Sequence, residues 1–366
     1  MVSIYELALA KVYGVGFHTA KAIMESLGSP EELFSQNKKS LELIFKSKTR
    51  TINDILNKTM FAQCERELEF MHKYGINSYF FLNDDYPYRL KQISDPPVCL
   101  FYCGNVDLNA EKTIAIVGSR NISDYGKRAT NAIVGELRKY NATIVSGLAY
   151  GVDAAAHTSA LNNGLATFGV LGHGLDMIYP RDNFDLAQQM RNNGGLVSEH
   201  FSGTKINPSL FPSRNRIIAG LSDMVIVIEA AYKSGALITA RLANDYNREV
   251  MAVPGRMNDE LSEGCNALIR KNMAHILSHT SDIARLTGWD DKLQSQQTLF
   301  DKPKPIPKLP KAEAKVYQII SENENINIDD LTIQSAMSST QLASCLLTLE
   351  MDDLIETLPG KCYKIV

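Results

Sequence analysis

Between residues 113 and 289 the apolar positions come in short β-branched runs separated by stretches of helical period. The runs at 113–117, 142–145, 167–171, 195–198, 224–228 and 249–253 have the length and composition of buried strands. The stretches at 125–140, 153–161, 183–192, 215–221, 236–246 and 265–271 read as the helices between them. This alternation predicts a doubly wound, Rossmann-like α/β domain with a parallel sheet over 83–289. Ligands of such sheets sit beyond the carboxyl ends of the strands.

The flanks follow other periods. Residues 1–82 read as a helical domain: Leu7, Leu9 and Val12 lead into Gly14-Val15-Gly16, and Ala20, Ile23, Met24 and Leu27 recur at helical spacing up to Gly28. Helix, Gly-x-Gly turn and helix suggest a helix-hairpin-helix or SAM-like unit, which can offer backbone N–H groups to a phosphate. A purely structural αα-hairpin fits the same residues, because few basic side chains flank this turn. Residues 290–310 form a linker, and its 302–310 part holds four prolines and three lysines. Helical stretches at 311–321, 328–336 and 339–352, then a hairpin of 354–358 and 362–366, predict a winged-helix-like domain over 311–366.

Charge separates these regions. Overall there are 38 Lys+Arg against 41 Asp+Glu. Residues 1–112 carry 13 against 14, residues 113–289 carry 17 against 15, residues 290–310 carry 4 against 3, and residues 311–366 carry 4 against 9. A polyanion is therefore expected at the α/β domain, if its cations share a face. No apolar run reaches the roughly 18–20 residues of a membrane helix, and the Glu6-containing N-terminus lacks the basic region of a secretory signal. Six cysteines in this length, with Cys99 and Cys103 as the one close pair, read as reduced cytosolic thiols. The expected location is the cytoplasm.

The strand ends hold the candidate chemistry. The first strand runs into Gly118-Ser119-Arg120-Asn121-Ile122-Ser123. A dinucleotide fingerprint would need two further glycines here; in their place an arginine and a serine suit phosphate binding by a guanidinium fork, a hydroxyl and backbone N–H groups. Arg120, Arg181, Lys205, Arg214, Arg216 and Lys233 all follow strands. A mononucleotide needs one or two such cations, whereas an extended polyphosphate needs several. Tyr179 and Phe211 lie among them as candidates either to stack on bases or to fill core. Asp153 is placed to cap a helix with His157 one turn on, and with no nucleophile beside them the pair reads as structural. Glu199 and Glu229 have no partner visible in the sequence. With no Walker A, H-E-x-x-H or G-x-S-x-G sequence and no Cys/His metal spacing, no catalytic residue, metal or cofactor is expected.

These blocks resemble the DNA-processing protein DprA (Smf) family. The resemblance rests on Val117-Gly118-Ser119-Arg120, on Val145-Ser146-Gly147-Leu148-Ala149 with Gly151, Asp153 and His157, and on Phe211-Pro212 with 214–222. Ser234-Gly235 with Thr239-Ala240, Val253-Pro254-Gly255, and Gly264-Cys265-Asn266 with Leu268-Ile269 complete it, in order over about 170 residues. Arg181 stands where lysine is usual in the family, and Ala236 where serine is common. The resemblance implies a non-enzymatic protein that binds and protects single-stranded DNA during natural transformation and recombination. It also implies loading of RecA recombinase, exchange with single-strand binding protein, and a homodimer. Carried over, the DNA ligands are Ser119, Arg120, Arg181, Lys205, Asn215, Arg216, Lys233 and Gly235, with Arg120 and Lys205 foremost, and the dimer contacts are Leu268, Ile269 and Ile276. Two rivals remain. A phosphoribohydrolase of the lysine-decarboxylase-like group would release a free base from nucleoside monophosphates, but its P-G-G-x-G-T loop is replaced here by Lys233-Ser234-Gly235-Ala236-Leu237. A winged-helix transcription regulator would footprint duplex DNA, which the acidic charge of 311–366 opposes.

Overall fold

The computed structural model describes residues 2–46, 48–289, 309–323, 326–352, 354–358 and 362–365. It divides into two compact units, Met1–Leu293 and Gln294–Val366. The linker expected at 290–310 lies outside the described residues except for Leu309 and Pro310.

The first unit opens with helices α1 (Ile4–Lys11), α2 (Phe17–Leu27), α3 (Pro30–Ser35), α4 (Lys38–Phe45), α5 (Thr49–Asn57) and α6 (Phe61–Tyr74). Sequence signals set their ends. Ser3 and Glu6 form a reciprocal capping box on α1, Ser29 caps α3 ahead of Pro30, and Gly75 closes α6 in the left-handed region at φ 63°. Their apolar faces meet in one core, in which Leu7, Leu33 and Leu41 are fully buried.

Among the described residues a nine-stranded sheet follows, in the order β1-β2-β6-β5-β4-β3-β7-β8-β9. Its strands are β1 (Asn77–Phe80), β2 (Cys99–Gly104), β3 (Thr113–Val117), β4 (Thr143–Ser146), β5 (Thr167–Val170), β6 (Gly194–Ser198), β7 (Met224–Val227), β8 (Glu249–Ala252) and β9 (His275–Ile276). From β6 to β9 every neighbouring pair is parallel. The helices are α7 (Tyr88–Lys91), α8 (Asp124–Leu137), α9 (Val152–Asn162), α10 (Phe184–Asn192), α11 (Leu210–Gly220), α12 (Gly235–Asp245), α13 (Glu263–Arg270) and α14 (Ser281–Thr287). Every residue of β3 is buried, as a strand covered on both faces requires, and each of Ile114, Ile116 and Val117 contributes about 1.5–3 kcal/mol by leaving water.

The doubly wound parallel sheet read from the sequence is present, with three differences. The helical zone ends earlier than Leu82, because β1 pairs antiparallel with β2, Asn77 opposite Tyr102. Neither strand belongs to the strand–helix alternation that carried the reading. Strand β9, paired with β8, was also not expected. Helix α11 starts at Leu210 rather than 215: Pro212 falls in its first turn, where a missing N–H breaks no helical bond.

The second unit contains α15 (Lys311–Ser321), β10 (Ile326–Asn327), α16 (Ile328–Ser335), α17 (Ser339–Met351), β11 (Ile355–Leu358) and β12 (Cys362–Ile365). Three strands in the order β10-β12-β11 back the helices, with a separate core that includes Val316, Leu331, Leu342 and Leu349.

Candidate functional site

Strands β4, β5 and β6 are laid to one side of β3, and β7, β8 and β9 to the other. The loops after β3 and β7 therefore part in opposite directions, and the crevice of a doubly wound sheet opens between them. A cleft of about 440 Å³ lies there. Its lining comes from the β3 end (Gly118, Ser119, Arg120), the β4–α9 loop (Ala149, Asp153), the start of α11 (Phe211, Pro212, Arg214, Asn215) and the start of α12 (Lys233, Ser234, Gly235, Thr239).

Several backbone constraints hold this wall. Ser119 donates its N–H to the Glu229 carbonyl (2.7 Å). The carboxylate of Glu229, wholly buried at the end of β7, accepts from the Ser123 N–H (2.9 Å) and from the Ser123 hydroxyl. That is the partner the sequence did not reveal. It fixes the loop that carries Arg120 to the first turn of α8, where Ser123 also accepts from the Gly126 N–H (3.1 Å). Gly151 has φ 76°, and a Cβ there would sit 2.2 Å from the Ser119 carbonyl oxygen, so only glycine fits.

Arg214, which sequence reasoning left off its ligand set, also lines the cleft. It is 5% exposed on the cleft floor and donates Nη1 to the carbonyls of Gly147 (2.7 Å) and Val170. Asp153 lies beside it and accepts from the N–H groups of Gly147 (3.1 Å) and Ala149 (3.3 Å). Burial pulls the guanidinium down to about 10, with the Asp153 charge opposing, and it remains protonated at neutral pH. Burial likewise raises Asp153, with Arg214 opposing. Asp153 is not the helix cap expected: Gly151 is the N-cap, and the carboxylate ties down the preceding loop. His157 is fully buried against Thr167, Nδ1 to Oγ1 2.6 Å, and burial lowers it to about 3. Asp153 and His157 are thus engaged separately, as structural groups.

Of the expected ligands, the cleft brings together Ser119, Arg120, Asn215, Lys233 and Gly235. Arg120 and Lys233 are exposed, with Arg120 5.9 Å from the centre of the Phe211 ring. Phe211 in turn is 5.9 Å from Tyr179, whose ring is exposed beside Pro180 and Arg181. Ser234 caps α12 by accepting from the Ala236 N–H (3.3 Å), and a Cβ on Gly235 would meet nothing within 4 Å, so the positive end of an 11-residue helix is open to the cleft. Arg181 and Lys205 are exposed but outside the cleft lining. The loop before Lys205 is anchored by Glu67 of α6, which accepts from the Ser202 N–H (3.0 Å). Arg216 is not brought to the cleft. It is ion-paired with Glu199 and lies 3.7 Å from Asp95, a carboxylate 121 positions earlier that spacing could not reveal. Among the expected dimer contacts, Leu268 is buried in the chain's own core, Ile269 is partly buried against it, and Ile276 on the edge strand β9 is 49% exposed.

Known proteins share this chain's architecture. The profile of DNA recombination-mediator protein A matches residues 77–288, the whole sheet-bearing region. The chain belongs to that family. A DprA winged helix domain profile matches residues 300–361. Protein Smf of Synechocystis is 36% identical over 76% of this chain and 78% of its own length. DNA processing protein DprA of Streptococcus pneumoniae is 44% identical over 55% of the chain and 71% of its own length. The crystal structure of DNA processing protein A from that organism superposes with a TM-score of 0.69 at 34% identity, over 78% of this chain and 98% of that one. A Helicobacter pylori DNA processing protein A structure, described for its single-stranded DNA binding mode, gives a TM-score of 0.54 at 32% identity, over 59% and 97%. Among the described residues no helix is long and apolar enough to cross a membrane.

Proposed function

We propose that this DNA-processing family member binds single-stranded DNA with its backbone laid across the cleft. Arg120, Lys233 and the N-terminus of α12 hold phosphates there, and Phe211 and Tyr179 offer faces for bases. The observation that carries the reading is that exposed Lys233 and Arg120 share one cleft with Phe211, whose ring lies between Arg120 and the exposed ring of Tyr179. Arg181 and Lys205 extend the path beyond the cleft. Asp153 and Glu229 are occupied with backbone and side-chain donors, so the site holds a strand rather than attacking it. On this reading the protein is not an enzyme. It protects incoming DNA, passes it to RecA recombinase in transformation, and exchanges with single-strand binding protein. It does so in the cytoplasm and as a homodimer, for which the exposed edge strand β9 with Ile276 is the available surface.

Binding of oligonucleotides at several salt concentrations tests this. With roughly 4–6 phosphates neutralised, the log–log salt slope for a single strand is about −3 to −4. Arg120→Ala should lose about 1.5–3 kcal/mol of binding, and Arg120→Lys should recover part of it, because an ammonium cannot make the fork. Equal or tighter binding to duplex of the same length, or an unchanged affinity for folded Arg120→Ala, would sink the reading.

A further inference from the structure

The helical bundle carries a second basic surface that the cleft does not use. Residues 38–58 hold six basic side chains (Lys38, Lys39, Lys46, Lys48, Arg50, Lys58) against Glu42 and Asp54. The rest of 1–112 holds seven against twelve, by subtraction from 13 and 14. All six are exposed.

Their placement runs against helix electrostatics. A helix N-terminus bears partial positive charge and favours acidic residues in its first turn. Helices α1 and α3 obey this, with Glu6 and with Glu31 and Glu32. In the same bundle α4 begins Lys38-Lys39, and α5 begins Thr49-Arg50 after the N-cap Lys48, which makes no side-chain cap. Helix α2 also has no side-chain cap and no acidic first-turn residue, and it carries His18 there. The uncapped starts of α2 and α5 thus carry basic side chains where acidic ones would be favoured, which concentrates positive potential for an external anion.

Those ends meet. His18, Lys46 and Lys48 line a groove of about 550 Å³ between α2 and the α4–α5 connection, floored by Ile23, Ile44 and Phe45. Beside it the α1–α2 turn rests on α5: Thr51 donates to the Tyr13 carbonyl (2.9 Å), and Asp54 accepts the Tyr13 N–H (2.9 Å). That N–H is therefore taken. Arg50 lies 3.7 Å from the centre of the Tyr13 ring, which is 52% exposed. An exposed aromatic ring among cations fits a single strand, whose bases can stack while its phosphates are neutralised. An acidic protein surface would use the cations but would have no need of the open ring.

We propose that this face of the bundle, centred on Lys46, Lys48, Arg50 and Tyr13, is a second contact for single-stranded nucleic acid, outside the strand-end cleft. The identity of the ligand rests on the single-strand reading above. The full-length protein with Lys46→Gln, Lys48→Gln and Arg50→Gln together should bind a strand of about 6 nucleotides unchanged. For a strand of about 25 nucleotides it should lose roughly tenfold in affinity and flatten the log–log salt slope by about 2, at 0.7 per phosphate. Tyr13→Ala should weaken the longer strand severalfold and leave the salt slope alone. Because all these side chains are exposed, thermal melts of the variants should match the parent. Arg120→Ala tests the cleft separately: if it changes nothing while the triple variant loses the longer strand, the cleft reading fails and this one stands. Unchanged affinity and slope for the longer strand in the triple variant overturns the proposal, whatever protein this face then binds. A loss seen with 25-base-pair duplex but not with the single strand overturns it too.

Discussion

Arg214 and Arg216 stand two positions apart on one helix and have opposite fates. Residues at that spacing do not share a face. The sequence shows both as basic residues after a strand; which one turns inward depends on Asp153, Gly147 and Val170, all distant in the chain. Arg214 should matter to folding far more than to ligand contact. Arg214→Ala leaves two buried carbonyls without their donor and removes the charge opposite Asp153, and should lower unfolding stability by about 1–3 kcal/mol, measured by denaturant titration. Arg120→Ala, at an exposed position, should stay within about 0.5 kcal/mol in the same titration. A stable Arg214→Ala protein would show that the cleft floor is not held this way. His157 makes a pH-dependent prediction. The folded imidazole is held near 3 by burial, while the unfolded one titrates near 6.5. As pH falls below about 6.5 the unfolded chain gains a proton that the folded chain refuses, so stability present at neutral pH is lost progressively towards pH 3. Thr167 already donates to the Ile144 carbonyl (3.0 Å), so Nδ1 of His157 must donate to it. Asn can keep that donor without the titration. His157→Asn should therefore lose less stability than the parent between pH 6.5 and 4.5, and parallel pH profiles would contradict the assignment.

At the scale of elements, the central strands were legible because β-branched runs and helical periods alternate, and part of the candidate cleft lining was legible because Arg120 and Lys233 follow the ends of those runs. What escaped lacked that context. Strands β1 and β2 sit at an antiparallel margin, and β9 is two residues long. The open N-terminus of α12 combines a legible feature, Ser234-Gly235, with an illegible one, the empty space in front of it. That space permits a test of helix charge against ligand charge. Gly235→Glu needs no unusual backbone angle and meets no neighbour at Cβ. An acidic side chain in the first turn should leave the helix as stable or about 0.3–1 kcal/mol more so. The same carboxylate would stand where a phosphate is proposed to lie, so single-strand affinity should fall by about tenfold or more, a loss of at least ~1.4 kcal/mol. Binding that survives in a protein with an unchanged melt would place the strand elsewhere.

The whole molecule divides its charge between its two units. The winged-helix domain has its own core, and its longest described helix, α17, points Leu342, Cys345, Leu346 and Leu349 inward. That helix carries no Lys or Arg, and from Val316 to Gly360 there are eight acidic residues and no basic one. A winged helix that reads DNA presents cations on its recognition helix and wing. Here Lys364 is paired with Glu356 at 2.8 Å, and Lys315 donates to the Ser335 carbonyl (2.7 Å). Ile333 and Met351 are 77% and 78% exposed on the same unit, apolar surface that suits a protein partner better than a phosphate. The cleft, by contrast, is built entirely from the first unit, whose cores lie within Val2–Trp289. Cutting the chain within 302–310 should therefore leave single-strand affinity within about threefold, a change under ~1 kcal/mol. The isolated 311–366 fragment should not retain duplex DNA at moderate salt, because each approach to a phosphate adds repulsion. A tenfold loss on truncation, or duplex binding by the fragment, would mean that this acidic domain touches DNA despite its charge.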